Sequence, residues 1–220
     1  MDMKDVITID GPSGAGKGTI SKLLAKKLGY HYLDTGALYR AVAWKVRKEH
    51  IDPEDDNALR DVLHDIKITF QDEHIFVDGI DISAAIRTAE IGELSSQVSA
   101  VPAVRESLFA IQREMGLKGK VVIEGRDTGT VIFPESEHKF YLDASLDERA
   151  RRRYEELKVR AQTNPGELTI VKVMEDIKKR DARDSSRSSA PLTRTDDMTY
   201  IDSTHMTIDE VVSEILTHLK

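Results

Sequence analysis

The stretch Val6-Ile-Thr-Ile-Asp-Gly-Pro-Ser-Gly-Ala-Gly-Lys-Gly-Thr19 decides the fold of this 220-residue chain. Val6 to Ile9 is a short, β-branched apolar run, the composition of a strand buried on both faces. Gly11 and Gly16 take the glycine places, and Lys17 the lysine place, of the pattern G-x-x-x-x-G-K-[ST]. Ile20, Leu23, Leu24 and Leu28 then recur at helical spacing, and Gly29 follows as a C-cap, which predicts a helix over about 17–28. In a strand–loop–helix of this kind, backbone N–H groups and the positive end of the helix converge on phosphate oxygens. Gly11, Pro12, Ser13, Gly14, Ala15, Gly16, Lys17, Gly18 and Thr19 are therefore expected to hold a nucleoside triphosphate, with Lys17 reaching its β- and γ-phosphates. The position after the lysine is Gly18, and the hydroxyl comes one place later at Thr19. Mg²⁺ is accordingly expected to be held mainly by phosphates and water, with no protein metal site.

Composition sets the outer limits. A 220-residue chain has room for one α/β domain with an insertion. The formal charge of −7 disfavours nucleic acid and anionic membrane as partners. No cysteine is present, which excludes disulfides, thiolate nucleophiles and cysteine-held metals. The N-terminal apolar run is too short for a signal peptide, and nowhere do eighteen apolar residues follow one another. The expectation is a cytoplasmic protein, monomeric and without a membrane partner.

Beyond the loop, strands alternate with helices. A second helix is predicted after Asp34-Thr35, with Thr35 as N-cap and Tyr39, Val42, Ala43 and Val46 on one face. Ile66-Lys-Ile-Thr-Phe70 alternates strictly, and Ile75-Phe-Val77 with Asp78-Gly79 reads as strand and turn, a small antiparallel insertion. Helices over about 88–99 and 102–117 follow, then core-strand runs at Val121-Val-Ile123 and Lys139-Phe-Tyr-Leu142. Ser145-Leu-Asp-Glu148 reads as a capping box opening a charged helix to about Arg160. Ala161-Gln-Thr-Asn-Pro-Gly166 breaks it, and a second charged helix runs from about Thr169 to Ala182. Met198-Thr-Tyr-Ile201 is a last strand, and Thr207-Ile-Asp-Glu210 caps the terminal helix. The predicted class is α/β, a phosphate-loop parallel sheet flanked by helices with right-handed crossovers. Its single domain divides into a core of 1–60, 102–148 and 188–220, an α+β insertion at about 61–101, and a helical lid with its adjoining helix at about 149–187.

Enzymes that phosphorylate a monophosphate need a second, fixed anion site, and the arginine fork matches phosphate oxygens. Arg40 and Arg126 are candidates for it. The blocks Asp34-Thr-Gly-Ala-Leu-Tyr-Arg40, Ile86-Arg-Thr88, Glu124-Gly-Arg-Asp-Thr-Gly-Thr-Val-Ile-Phe-Pro134 and Arg180-Asp-x-x-Asp184-x-x-Arg187 follow the loop in order. Together they resemble the bacterial cytidylate kinase family of nucleoside monophosphate kinases, over nearly the whole chain from residue 6 to about 203. The resemblance implies transfer of the γ-phosphoryl group of ATP to CMP, and to dCMP, in pyrimidine nucleotide metabolism. It implies that Arg40, Arg126 and the Thr35 hydroxyl hold the acceptor phosphate. Asp127 and Arg105 would then read the cytosine amine and its acceptors, with Ser96 a further polar contact. Arg180, Asp184 and Arg187 are carried over to ribose and phosphate. Without the resemblance, Arg105 reads as a solvated helix arginine.

Arg149, Arg151, Arg152 and Arg153 form a basic run, and pairing with Asp147, Glu148, Glu155 and Glu156 accounts for two of them. In the family, lid arginines cover the donor phosphates, which points to Arg153 or Arg149. Lys17, Arg126, Arg153 and Arg187 are thus the candidate catalytic residues. Two other readings compete: a kinase for a different small acceptor, and a nucleotide-gated RNA-binding protein. Tyr154 is the lone aromatic among the arginines, which speaks against the second.

Overall fold

The computed structural model describes residues 5–71, 74–160 and 168–219. The chain forms two compact units, one of residues 1–33 and 116–220 and one of Asp34–Met115. The predicted break at 161–166 lies outside the described residues.

The first unit is built on β1 (Val6–Asp10), buried along its whole length. It lies at the centre of a five-stranded sheet of order β2 (His31–Asp34), β6 (Val121–Gly125), β1, β7 (His138–Asp143), β8 (Thr199–Asp202). The pairs β1–β6, β1–β7 and β7–β8 are parallel. A continuous apolar run is what such a doubly covered strand requires. Helix α1 (Lys17–Leu28) and the terminal helix α8 (Ile208–Thr217) share one core with the sheet through Ile20, Leu24, Ile9, Phe140 and Val212. Gly29 closes α1 in the left-handed conformation. Thr207 and Glu210 form the expected reciprocal capping box.

The second charged helix, α7, runs Ile170–Ser186, past the predicted end at Ala182. Arg180 and Asp184 therefore do lie one helical turn apart. At the start of α6 (Leu146–Arg160) the box is only half made. Ser145 Oγ accepts the Glu148 N–H at 3.3 Å, but the Ser145 N–H goes to Thr204 Oγ1 and the Glu148 carboxylate takes Arg151 and Arg152. Two guanidinium groups outcompete one amide for that carboxylate.

The second unit holds α2 (Thr35–Lys48), α3 (Asp56–Asp65), a three-stranded antiparallel sheet of β3 (Ile68–Gln71), β4 (His74–Val77) and β5 (Ile80–Asp81), then α4 (Ala89–Val98) and α5 (Pro102–Gly116). Its boundaries are wider than the insertion expected at 61–101, because Leu38, Val42 and Val46 of α2 share a core with Leu59, Val77, Ile86, Val104 and Leu108. The sequence reading passed over α3, although Asp55 caps it through the Asn57 and Ala58 N–H groups and Leu59 and Val62 carry its buried face. The N-cap of α2 is Asp34 instead of Thr35, because the Asp34 carboxylate accepts the Ala37 N–H at 2.9 Å. Thr35 is the first helical residue and is buried.

Candidate active site

In the first unit the loop Gly11–Thr19 joins the end of β1 to α1. Gly11 has φ 149°, and a Cβ there would lie 1.9 Å from the backbone oxygen of Leu142. Only glycine fits that approach. Gly18 answers a different need. A Cβ on it would meet Glu124 Oε1 at 3.0 Å, so the absent hydroxyl leaves space for a carboxylate that bonds the Tyr32 hydroxyl. Thr19 is exposed.

Lys17 is buried and donates to the loop's own carbonyls, Gly11 O at 2.8 Å and Pro12 O at 2.8 Å. Burial, with the Arg126 and Arg180 cations adding to it, pushes its ammonium down to about 7, against the opposing pull of Glu124 and Asp10. Asp10 is fully buried and accepts from Thr128 N, Thr128 Oγ1 and Gly129 N at 2.8–3.0 Å. That one side chain ties the start of the phosphate loop to the segment after β6. Burial raises its carboxyl above the usual range.

Arg126 and Asp127 follow β6 directly. Arg126 Nε donates to Asp184 Oδ2 at 2.8 Å and Nη1 to Gly125 O at 3.2 Å. Burial alone would raise the Asp184 carboxyl, but Arg126, Arg180 and Arg187 outweigh it and hold it low. Arg187, just past the end of α7, approaches Asp127 Oδ1 at 3.4 Å and Asp184 Oδ1 at 4.0 Å. The loop lysine, Arg126, Asp127, Arg180, Asp184 and Arg187 thus share one unit. Arg126, Arg180 and Arg187 meet the carboxylates of Asp127 and Asp184 there, and Asp10, Glu124 and Asp181 act on Lys17 and Arg126 as well.

The basic run on α6 makes two kinds of contact. Arg151 and Arg153 pair within the helix, with Glu148 and Glu156 at i,i+3 spacing, and Arg152 pairs with Glu148 at i,i+4. Arg149 Nη1 donates to Ser13 O at 3.0 Å, and Arg152 Nη1 to Ala15 O at 3.3 Å, so these two buttress the loop through its carbonyls. Arg149 is therefore turned to the loop backbone, and Arg153 to Glu156.

In the second unit, Arg40 Nη2 donates to Asp34 Oδ2 at 2.6 Å, and Arg87 shares the same oxygen at 3.4 Å. Burial would raise the Asp34 carboxyl, but the two arginines keep it low. Arg105 is 6% exposed, with its guanidinium 5.5 Å from the Tyr39 ring centroid and Nη1 donating to Ser99 O. It is no solvated helix arginine. Ser96 is buried, and its Oγ makes no hydrogen bond among the described residues. A buried hydroxyl in that condition is costly unless a ligand completes it.

Asp10, Glu124, Tyr32 and Asp181 in the first unit, and Arg87 beside Asp34 in the second, carry no role in the sequence reading. Glu124 was legible in principle, since it opens a quoted motif at the carboxyl end of a strand beside β1, where α/β sheets bind ligands. No group of three or more His, Asp or Glu side chains among the described residues could cage a metal. Glu124 is the nearest carboxylate to Gly18.

The family model for cytidylate kinase matches residues 7–220. The chain belongs to the cytidylate kinase family. It is 48% identical over 211 residues to the cytidylate kinase of Geobacter sp. (strain M21), covering 94% of this chain and 89% of that protein. To the cytidylate kinase of Caldanaerobacter subterraneus subsp. tengcongensis it is 48% identical over 210 residues, covering 95% and 92%. A solved structure of an uncharacterized protein from Eubacterium ventriosum matches 97% of both chains with TM-score 0.56 and 12% identity, which speaks for the fold alone. The expected phosphate-loop α/β fold is borne out, and cytidylate kinases are phosphotransferases that use ATP as donor. No helix among the described residues is long and apolar enough to cross a membrane.

Proposed function

We propose that the protein transfers the γ-phosphoryl group of ATP to CMP and dCMP, giving ADP and CDP or dCDP, as a cytoplasmic monomer. The observation that carries this reading is the cluster of Arg126, Arg180 and Arg187 with Asp127 and Asp184 in the same unit as Lys17, guanidinium forks of the kind a second anion site requires. Phosphoryl transfer asks mainly that two anions be positioned and their charge neutralised.

In this reading Gly11–Thr19 cradles the triphosphate, whose phosphates, with water, would hold a Mg²⁺ that would add charge neutralisation. Arg40, Arg126 and Thr35 take the acceptor phosphate, and Arg187 and Arg153 meet charge that develops in the transition state. Arg180 and Asp184 take the ribose. Asp127, Arg105 and Ser96 take the base; the buried Ser96 Oγ, without a hydrogen-bond partner among the described residues, supports its part.

A coupled ADP-release assay with CMP, dCMP, UMP, AMP and shikimate tests the reaction. Turnover with CMP and dCMP is expected to exceed all others; turnover with AMP or shikimate but not CMP sinks the reading. Uracil would set a carbonyl against the Asp127 carboxylate where cytosine offers an amine. Asp127→Ala should therefore lower the CMP/UMP ratio of kcat/KM by about tenfold or more. An unchanged ratio removes Asp127 from the base pocket.

A further inference from the structure

Two helices grip the phosphate loop from outside at a single residue, Ser13. Asp181 Oδ1, on α7, accepts the Ser13 N–H at 3.1 Å. Its Oδ2 takes Arg149 Nη1 of α6, and the same nitrogen donates to Ser13 O at 3.0 Å while Arg149 Nε donates to Ala144 O at 3.0 Å. One ion pair thereby satisfies both backbone groups of Ser13. Exposed ion pairs contribute little to stability. This one is mostly covered, with side chains 10% and 21% exposed, and it closes a ring through the backbone. Both Asp181 oxygens are committed within that ring.

The same helix holds the other half of the site. Three residues after Asp181, Asp184 accepts Arg126 Nε, and Arg187 beyond it approaches Asp127. Residues three apart lie on one helical face. Consecutive turns of α7 are therefore fastened first to the phosphate loop and then to the segment that follows β6.

We propose that Asp181 is a positioning residue that couples the two substrate sites: through Arg149 it fixes the Ser13 peptide to α7, so each substrate binds more tightly when the other is present. The proposal rests on the assignment of Arg126 and Asp184 to the acceptor. Coupling needs an element that both ligands bias, and α7 is fastened to both halves of the site.

Asp181→Asn tests it with little change of shape. An amide has one oxygen, so either the Ser13 N–H or the Arg149 guanidinium then faces a donor instead of an acceptor. Calorimetry would measure the Kd of a non-hydrolysable ATP analogue with and without saturating CMP. Wild type is expected to bind the analogue at least about fivefold more tightly with CMP present, the low end of usual coupling. In Asp181→Asn that factor should fall to within about twofold of unity, while the Kd for CMP alone moves less than about threefold. A merely structural contact would lower the melting temperature and leave the factor intact. Amide exchange supplies a readout without CMP: the Ser13 N–H should exchange at least about tenfold faster in the variant. A retained coupling factor, no coupling in wild type, or unchanged Ser13 exchange overturns the proposal. Failure of wild type to bind CMP overturns the acceptor assignment and this inference with it, whereas normal CMP binding with coupling retained in the variant overturns this inference alone.

Discussion

Replacing Lys17 with methionine is expected to lower kcat by about two to three orders of magnitude, the range for removing a charged donor aimed at the transition state. The lysine lies against Gly11 O and Pro12 O, buried, with cations at Arg126 and Arg180. In the proposed reading a triphosphate would replace those carbonyls with anionic oxygens and make the ammonium form the favoured one. The loss should therefore fall on catalysis more than on folding. Methionine removes a charge that burial disfavours, so the empty variant should melt at or above the wild-type temperature. A kcat within tenfold of wild type would sink this account.

The same lysine links binding to pH. Its ammonium drops from the ordinary 10.5 to about 7 in the folded protein. Between those values the unfolded chain holds a proton that the folded chain has lost, so this group's contribution to stability rises with pH across the window. Nucleotide binding runs the other way, because the phosphates draw the proton back. Near pH 8.5, ATP binding should take up close to one proton, and apparent affinity should fall by up to about tenfold per pH unit above 7. Titration calorimetry in buffers of differing ionisation enthalpy reads the uptake directly, and Lys17→Met should abolish it. Proton uptake that survives the substitution belongs to another group.

How much of this was legible in the residues depended on whether the signal was local. Strand, loop and helix at 6–28 obey rules that act within a few positions: β-branched burial, glycine geometry, helical spacing. The boundaries of the second unit were not legible, because the packing of Leu38 and Val46 with Val77 and Val104 is long-range. Asp181 and Asp10 look like ordinary carboxylates in the sequence. Their meaning arises when α7 passes Ser13 and when β1 ends beside Thr128. The basic run 149–153 shows the same limit: spacing identifies helix pairs at Arg151, Arg152 and Arg153, but only the fold sends Arg149 and Arg152 to the loop carbonyls.

Arg126 should tolerate replacement even less than its charge suggests. Its Nε is committed to Asp184 and one Nη to Gly125 O, which leaves the rest of the fork for an acceptor phosphate. A lysine carries the charge but a single nitrogen, so it can pair with Asp184 or reach a phosphate, not hold both in the same fixed plane. Arg126→Lys is expected to lower kcat/KM for CMP by about a hundredfold or more, and Arg126→Ala by about a thousandfold, the lower bound for a transition-state arginine. The alanine variant carries a second consequence. Without Arg126, the buried Asp184 loses the first of the cations that hold its carboxyl low, and burial then pushes that carboxyl upward. An NMR titration of Asp184 should show its midpoint rising in Arg126→Ala and staying low in Arg126→Lys. Equal activity in the lysine variant and wild type would mean that charge alone suffices at this position, and the fork argument would fail.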